Sequence, residues 1–266
     1  MDNFFNDYEI ELSKEFIDNG FIIKKTNNTN ALNFLQNHFV QNSSKFLDKK
    51  VNVSNEDWLN NIHNKVKIEE LNNFRLKMIQ SSNNEEMFKV NYYNAAKEYL
   101  DVIVGNELAM QIRVNLSIQF PNDNSSLLPV HADTWSGDSP FEIVVWIPLV
   151  DCYKTKTMFI LPPHKTKKLN DSFNKFVGES SKNLFDNIKD EVQWLNVKFG
   201  EILIFNQSLP HGNIVNKEKE TRWSMNCRFK SIFSPYSDKK LGEFFEPITL
   251  KPASKVGMNY SLPKLV

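Results

Sequence analysis

The chain has 266 residues, in which 32 basic residues balance 32 acidic ones and hydrophobic residues make up 41%. Zero formal net charge gives no electrostatic reason to expect a nucleic acid or an anionic membrane as a partner. We find no apolar run of bilayer length and no signal peptide at the start, so we expect a cytoplasmic protein that acts on a small molecule. The length fits one large domain or two small ones, with a sizeable core. We find no internal repeat, low-complexity tract or linker, so we expect one domain, residues 1–266.

Residues 1–110 have mainly the apolar spacing of helices, which indicates a helical support for the rest of the chain. The pattern predicts four helices, over residues 8–17, 31–46, 58–81 and 86–104. Asn19-Gly20 ends the first of them, and a short strand is expected directly afterwards. Ser54, three residues before Asp57, is typical of a helix start and precedes the third.

From Gln111 onward the period of apolar residues changes to two, which is typical of half-buried strands. Strands are predicted over residues 111–120, 141–150, 157–161, 193–198, 201–205 and 221–233. Many short strands with tight turns favour an antiparallel barrel or sandwich, here a core over 111–233. A polar interruption at 165–190 is expected to form one or two short helices over the barrel mouth, and 234–266 to be a C-terminal extension.

A candidate metal site begins at Val130-His131-Ala132-Asp133-Thr134. His131 and Asp133 stand at alternate positions near a strand end, so their side chains project the same way. His211, within residues 208–213, is the best-placed third ligand. Two histidines and one carboxylate make the facial triad, which leaves three metal positions open and is typical of non-haem Fe(II) oxygenases. Taken alone, the pair His131 and Asp133 also fits an ordinary surface turn.

Four stretches between residues 111 and 233 occur in a recognisable order: His131-Ala132-Asp133, then 145–149, 157–164, and 199–205 leading to His211 and Arg222. This order resembles the Fe(II)/2-oxoglutarate-dependent oxygenases, especially their phytanoyl-CoA-hydroxylase-like branch. Residues 131–142 are also similar to a bacterial subgroup found with carbohydrate-biosynthesis genes. The resemblance implies a mainly β chain with N-terminal helices, whose core is a double-stranded β-helix, a cupin-like jelly-roll barrel.

The same resemblance implies a chemistry. Fe(II) would be held by His131, Asp133 and His211, with 2-oxoglutarate as co-substrate and O2 as oxidant. 2-Oxoglutarate would be converted to succinate and CO2 while the enzyme hydroxylates a small polar molecule such as a sugar, a nucleotide sugar or a carbohydrate precursor. Asp133 argues against a related halogenase, which has a small residue there.

Arg222 is the expected holder of the co-substrate. It follows His211 by eleven residues, and Arg222-Trp223-Ser224 resembles the clamp of the family. A guanidinium gives two parallel hydrogen bonds to a carboxylate, to which the Ser224 hydroxyl adds a third. Asn115 is predicted to face 2-oxoglutarate as well. The alternative is that these residues merely form the solvent-exposed face of an antiparallel sheet.

Four residues are predicted to contact the substrate: Arg113, Gln119, Trp135 and Arg228. The two arginines would suit a phosphate or carboxylate, and Trp135 could stack on a ring or sugar face. Arg113 and Gln119 are placed inward because a barrel that holds iron and a dicarboxylate needs polar groups inside. Residues 136–139 and 165–190 are expected to close over the substrate.

Two other functions are compatible with the sequence. One is a cupin-like metal-dependent sugar isomerase or epimerase, which would not need Arg222 to bind a dicarboxylate. The other is a non-catalytic sugar-binding jelly roll.

Overall fold

The computed structural model, which describes residues 4–264, has more helix than strand. Among the described residues 41% are helical and 19% lie in strands, so the prediction of a mainly β chain is wrong. Most of the strands are shorter than their apolar patterns suggested, and the polar segments at 165–190 and near the C-terminus contribute three further helices. The architecture is a mixed one, with antiparallel sheets backed by helices.

Five α-helices precede the main strands: α1 Asp7–Asn19, α2 Thr29–Leu47, α3 Asn55–Asn60, α4 Leu71–Asn84 and α5 Phe88–Ile103. Helix α1 ends at Gly20, whose φ of 74° is the left-handed conformation that glycine adopts without strain. The Ser54 hydroxyl accepts from the Asp57 backbone N–H at 3.1 Å, which confirms the predicted helix start. The predicted helix over 58–81 is wrong as one piece, because the weak helix formers at 60–64 give way to two 3-10 turns before α4.

The described residues contain ten strands. They are β1 Phe21–Lys25, β2 Leu108–Gln111, β3 Asn115–Gln119, β4 Ile143–Pro148, β5 Phe159–Ile160, β6 Gln193–Trp194, β7 Glu201–Asn206, β8 His211–Gly212, β9 Arg222–Ser231 and β10 Phe245–Pro247. Seven form one sheet in the order β1-β7-β4-β9-β2-β10, with β3 also paired to β9. The other three form a sheet in the order β6-β5-β8, and every pairing is antiparallel. Within residues 4–264 these sheets do not close into a barrel.

The predicted strand over 111–120 is divided into β2 and β3. Met110 pairs with Phe229 and Asn115 pairs with Asn226, so this edge has two more residues than the β9 segment opposite. The extra length is taken up by a bend at 112–114, which acts as a bulge and interrupts the alternation of side chains. Arg113 lies in this bend, outside any strand.

One face of the large sheet packs against the N-terminal helices. Strand β9 turns Trp223, Met225, Cys227 and Phe229 towards them, and all four side chains are fully buried. The Trp223 ring contacts Phe39 of α2 and Phe74 of α4, with centroids 5.9 and 5.8 Å away. Because side chains alternate along a strand, Arg222, Ser224, Asn226 and Arg228 face away from the helices. The helical half of the chain thus determines which face of the sheet is free for a site.

Helices α6 Pro163–Asn170 and α7 Ser181–Ile188 come from the polar interruption, as predicted. Leu169 and Leu184 bury their side chains against Phe159 and Leu161, so the insertion is anchored on the small sheet. A last helix, α8 Pro252–Met258, follows β10. None of the helices in residues 4–264 combines the length and the hydropathy that a bilayer crossing requires.

Candidate metal centre

The three predicted ligands lie together in the fold. One ligand atom from each of His131, Asp133 and His211 can be chosen so that all three lie within 4.8 Å of one another. His211 begins β8, and it pairs with His131 through two backbone hydrogen bonds of 3.0 and 2.8 Å. Asp133 begins a 3-10 turn, and its backbone N–H donates to the Gln207 carbonyl at 3.0 Å. All three ligands are therefore positioned by main-chain hydrogen bonds.

Both imidazoles are held in the tautomer that a metal needs. His131 Nδ1 lies 2.8 Å from the Pro129 carbonyl, and His211 Nδ1 lies 2.8 Å from the Leu209 carbonyl. A carbonyl oxygen only accepts, so each Nδ1 carries the proton and donates it. Each Nε2 then has a free lone pair, and that of His131 lies 3.6 Å from Asp133 Oδ1. The same contact to the residue two positions earlier is used at both histidines.

Burial favours the neutral, ligating form of His211. Loss of hydration, reinforced by repulsion from His131, lowers the pKa of His211 to about 4. A neutral imidazole is the form that binds metal, so His211 is a competent ligand at neutral pH without losing a proton.

Gly212 allows the two ligand-bearing segments to approach closely. A Cβ at this position would lie 2.8 Å from the Leu128 carbonyl oxygen and 3.0 Å from Cζ of Phe159. Asn213, the next residue, closes the pairing, because its backbone N–H donates to Leu128 at 2.9 Å and its side chain accepts from the Leu128 N–H at 2.8 Å. A side chain at 212 would push the segments that carry His131 and His211 apart.

A cavity of about 220 Å³ connects the three ligands with Arg222. Its floor is the free face of β9, and the paired strands β3 and β4 add side chains from either side. It is lined by Asn115, Ser117, Leu128, His131, Asp133, Val144, Trp146, Met158, Phe205, His211, Gly212, Asn213, Arg222, Ser224, Asn226 and Arg228.

Arg222 is a buried cation without a counter-ion in residues 4–264. Its side chain donates from Nη2 to Ser117 Oγ at 2.8 Å and from Nη1 to the Thr157 carbonyl at 3.2 Å. Burial lowers the pKa of Arg222 to about 10, which still leaves it charged at neutral pH. Arg222 Nε and Thr157 Oγ1 are buried, and neither has a hydrogen-bond partner within the described chain. Because buried polar groups are normally satisfied, the charge and the unpartnered Nε of Arg222 suit this end of the cavity to an anion.

Arg228, at the other end of the β9 face, is fully paired. Its Nη2 lies 2.9 Å from Asp133 Oδ1, and its Nη1 lies 2.8 Å from Asp138 Oδ2. Between the two arginines the Asn115 amide donates to Asn226 Oδ1 at 2.9 Å, so carboxamides line the middle of the cavity. Arg228 therefore has two carboxylate partners, whereas Arg222 on the same face of β9 has none within residues 4–264.

The structure brings some of the predicted site residues to this cavity and leaves others outside it. Arg222, Ser224, Asn115 and Arg228 line it together with the three ligands; Arg113, Gln119 and Trp135 do not.

Each of the three excluded residues has a different environment. Arg113 borders a separate cavity beside the N-terminus of α5, because the bend at 112–114 turns it away. The Gln119 amide donates to the Ile214 carbonyl at 2.9 Å. Trp135 is 40% exposed, and its ring packs on Phe173 of the insertion at 4.8 Å.

Thr157 and Asp138 contact Arg222 and Arg228, and the sequence analysis assigned no role to either of them. Thr157 opens a stretch that is predicted to be a strand, but its contact with Arg222 is a tertiary one that leaves no local pattern in the sequence. Asp138 follows Asp133 by five residues, and no local pattern indicates that both bind one arginine. The only signal in the sequence was an acidic residue within the segment 136–139, which was expected to close over the substrate.

Two solved structures are similar to this chain in fold. EctD from S. alaskensis, solved with 2-oxoglutarate and 5-hydroxyectoine, is 13% identical, with a TM-score of 0.56 over 87% of this chain and 80% of that one. The non-heme monooxygenase ThoJ, as a nickel complex, is 13% identical, with a TM-score of 0.55 over 91% of this chain and 85% of that one. No protein-family model and no curated protein sequence matches the chain.

Proposed function

We propose that this chain is an Fe(II)/2-oxoglutarate-dependent oxygenase that hydroxylates a small polar molecule. The observation that carries the proposal is the cavity itself, which has two imidazole Nε2 atoms and a carboxylate at one end and, at the other, the Arg222 guanidinium, which has no carboxylate partner in residues 4–264. The order of sequence motifs and the fold shared with a non-heme monooxygenase support it.

The donor set fits Fe(II). Two neutral imidazoles and one carboxylate are the ligands of the facial triad, which leaves open positions for a chelating co-substrate and for O2. His131 and His211 already expose Nε2, and their Nδ1 contacts fix the ring orientations. The three side chains therefore fit the metal without a change of tautomer.

The far end of the cavity fits one carboxylate of 2-oxoglutarate. Arg222 would donate from its guanidinium, and Ser224 from the neighbouring cavity-lining position on β9. We propose that the buried Thr157 hydroxyl, which has no partner within the described chain, donates to the same carboxylate. The other end of the dicarboxylate would then reach the three ligands. When both are bound, Fe(II) and 2-oxoglutarate would activate O2: one oxygen atom would enter succinate as CO2 is released, and the other would be inserted into a C–H bond of the substrate.

The fold is proposed to be the jelly roll of the oxygenase family, with β6-β5-β8 facing the large sheet across the cavity. This arrangement is supported by Arg222 on the large sheet, which contacts Thr157 just before β5. The proposal extends to one domain over residues 1–266, to the phytanoyl-CoA-hydroxylase-like branch, and to a cytoplasmic location, as the sequence suggests.

A sugar, a nucleotide sugar or another carbohydrate precursor is proposed as the substrate. The amides of Asn115, Asn213 and Asn226 line the cavity, and carboxamides both donate to and accept from hydroxyl groups. Of the substrate residues suggested by sequence, Arg228 lies in the cavity, paired to Asp133. Trp135 and the 165–190 insertion are in mutual contact outside it, in a position to border a substrate at the mouth.

Anaerobic addition of Fe(II) and 2-oxoglutarate tests the proposal, because chelation gives a weak charge-transfer band in the visible region. We expect the band in the wild type and its loss in Arg222→Met at the same 2-oxoglutarate concentration, with metal still bound. Metal binding without any effect of 2-oxoglutarate would favour the sugar isomerase or epimerase. Sugar binding without metal binding would favour the non-catalytic jelly roll.

A further inference from the structure

We propose that Arg228 is a positioning residue that is anchored by Asp138 and holds the carboxylate of Asp133 in its metal-binding orientation. This inference rests on the proposed function, because it takes Asp133 to be a metal ligand. It assigns Arg228 to the metal centre rather than to recognition of an anionic substrate.

The geometry is that of a cation bridging two carboxylates. Nη2 of Arg228 lies 2.9 Å from Asp133 Oδ1, while Nη1 lies 2.8 Å from Asp138 Oδ2. The guanidinium is planar and rigid, so fixing one Nη on Asp138 also fixes the direction in which the other points. Asp133 Oδ1 has two lone-pair directions, so it can accept from Arg228 and still bind a metal on the side of His131.

Asp138, which anchors Arg228, is itself held in place by its surroundings. Asp138 is buried, and the residue after it, Ser139, donates its hydroxyl to the Pro235 carbonyl at 2.7 Å. The Gln207 amide donates to the Ser139 carbonyl at 2.9 Å, and the Gln207 carbonyl accepts the N–H of Asp133. The segment from Asp133 to Ser139 is therefore held by hydrogen bonds at both ends.

The charge on Arg228 is already matched. Its two carboxylate partners are largely buried, and the Phe244 ring lies against the guanidinium with its centroid 5.5 Å away. An anionic substrate group would have to displace Asp133 or Asp138 and leave a buried carboxylate unpaired, which is costly. Without Arg228, Asp133 and Asp138 would instead repel each other across a poorly hydrated space.

Titration of the purified, metal-free full-length protein with Co(II), followed by visible absorption, tests the inference. We expect Arg228→Met to weaken Co(II) binding by about 10–100-fold, the effect typical of removing a group that orients a ligand. Asp138→Asn should weaken it less, because the asparagine can still accept from Arg228. Arg228→Lys should recover part of the affinity, since a lysine keeps the charge but lacks the rigid fork. Lys67→Met, which removes an exposed charge, should leave the affinity unchanged.

The outcomes separate this inference from the proposed function. A wild type that binds no Co(II) would overturn the proposed function, and the inference with it. A wild type that binds Co(II) as tightly as Arg228→Met and Asp138→Asn do would overturn the inference alone.

A role in folding alone is tested by two further measurements. The inference predicts an altered Co(II) spectrum at saturation in Arg228→Met and its partial recovery in Arg228→Lys. A merely structural arginine would lower the melting temperature of the metal-free protein and leave the saturated spectrum unchanged. If Arg228→Met does not fold, the affinity and spectrum of Asp138→Asn decide.

Discussion

His131 and His211, eighty residues apart in sequence, are joined by a pair of backbone hydrogen bonds, and their rings lie 4.4 Å apart. The distance between two candidate metal ligands is thus set by strand pairing rather than by flexible side chains. Each ring is further fixed by its Nδ1 contact to a carbonyl two residues earlier. Such a preorganised pair binds a metal with little loss of conformational freedom, and the position of the third ligand becomes decisive.

Asp133→Ala removes that third ligand. We expect loss of Fe(II)-dependent succinate formation and a Co(II) affinity lowered at least tenfold, because two imidazoles alone lack the anionic donor. Asp190→Ala, which changes an exposed carboxylate in the turn after α7, is the control and should behave as the wild type. Full turnover in Asp133→Ala would show that the triad is wrongly assigned.

Arg222→Met separates co-substrate binding from metal binding. In the wild type, 2-oxoglutarate at about 100 times its Kd should stabilise the metal-loaded protein by about 2.7 kcal/mol. The variant should lose this increment and keep its Co(II) affinity. The melting temperature without ligands should not fall, since the change removes a buried cation that has no counter-ion in residues 4–264. An unchanged response to 2-oxoglutarate would contradict the role of Arg222.

Thr157→Val removes a buried hydroxyl that has no partner in the described chain. The ligand-free protein should become more stable by about 1 kcal/mol, because an unsatisfied polar group is replaced by an apolar one of the same shape. The affinity for 2-oxoglutarate should fall by about 5–10-fold if this hydroxyl donates to its carboxylate.

The control for Thr157 is Thr166→Val, since the Thr166 hydroxyl already donates to the Leu161 carbonyl at 3.0 Å. That change should lower stability and leave 2-oxoglutarate binding unaffected. If both variants lose stability equally, the Thr157 hydroxyl already has a hydrogen-bond partner in the ligand-free protein, and its proposed role in binding 2-oxoglutarate is wrong. The two measurements are chemical denaturation without ligand and calorimetric titration with 2-oxoglutarate.

Alternation along β9 was predictable from sequence because the strand is regular over its ten residues. The apolar side chains of one face, Trp223 among them, are buried as expected, and Arg222 and Ser224 share the opposite face. The convergence of residues 131, 133 and 211 was also predicted, since ligand chemistry restricts the choice among only five histidines. In both cases a local pattern or a chemical requirement limited the alternatives.

The placement of Arg113 could not be predicted in the same way. Polar and apolar residues alternate without a break through residues 111–120, and only the pairing with β9 shows that two residues bulge out of the strand. The two carboxylate partners of Arg228 could not be predicted from the sequence for a related reason. Two carboxylates converge on it through a turn at Gly137 and a strand some ninety residues later, and such a contact leaves no periodic signal in the sequence.

The metal-free protein should lose stability in acid because of His211. Its pKa is about 4 when folded, against an ordinary value of 6.5 when unfolded, so the unfolded state binds more protons between these values. The stability contributed by a neutral His211 is therefore complete above pH 6.5 and declines as the pH falls towards 4. At pH 5 the loss is about 2 kcal/mol. Urea unfolding at pH 7 and pH 5 measures it, and the difference should be smaller by this amount in His211→Asn.

Gly212→Ala tests whether the close approach of the two ligand segments matters. The added Cβ meets the Leu128 carbonyl and the Phe159 ring, neither of which is the free end of a flexible chain. We expect a loss of about 1–3 kcal/mol in the free energy of unfolding, as for other overpacked sites, together with weaker Co(II) binding.

The matched control for this substitution is Gly257→Ala in α8, where a new Cβ meets nothing within 4 Å. There the change should stabilise the helix slightly, by up to about 1 kcal/mol, and leave metal binding as it is. Equal Co(II) affinities in the two variants would mean that the spacing of His131 and His211 tolerates a shift of the strands. A selective loss in Gly212→Ala, measured by the same Co(II) titration, would show that the backbone pairing itself sets the distance on which the metal depends.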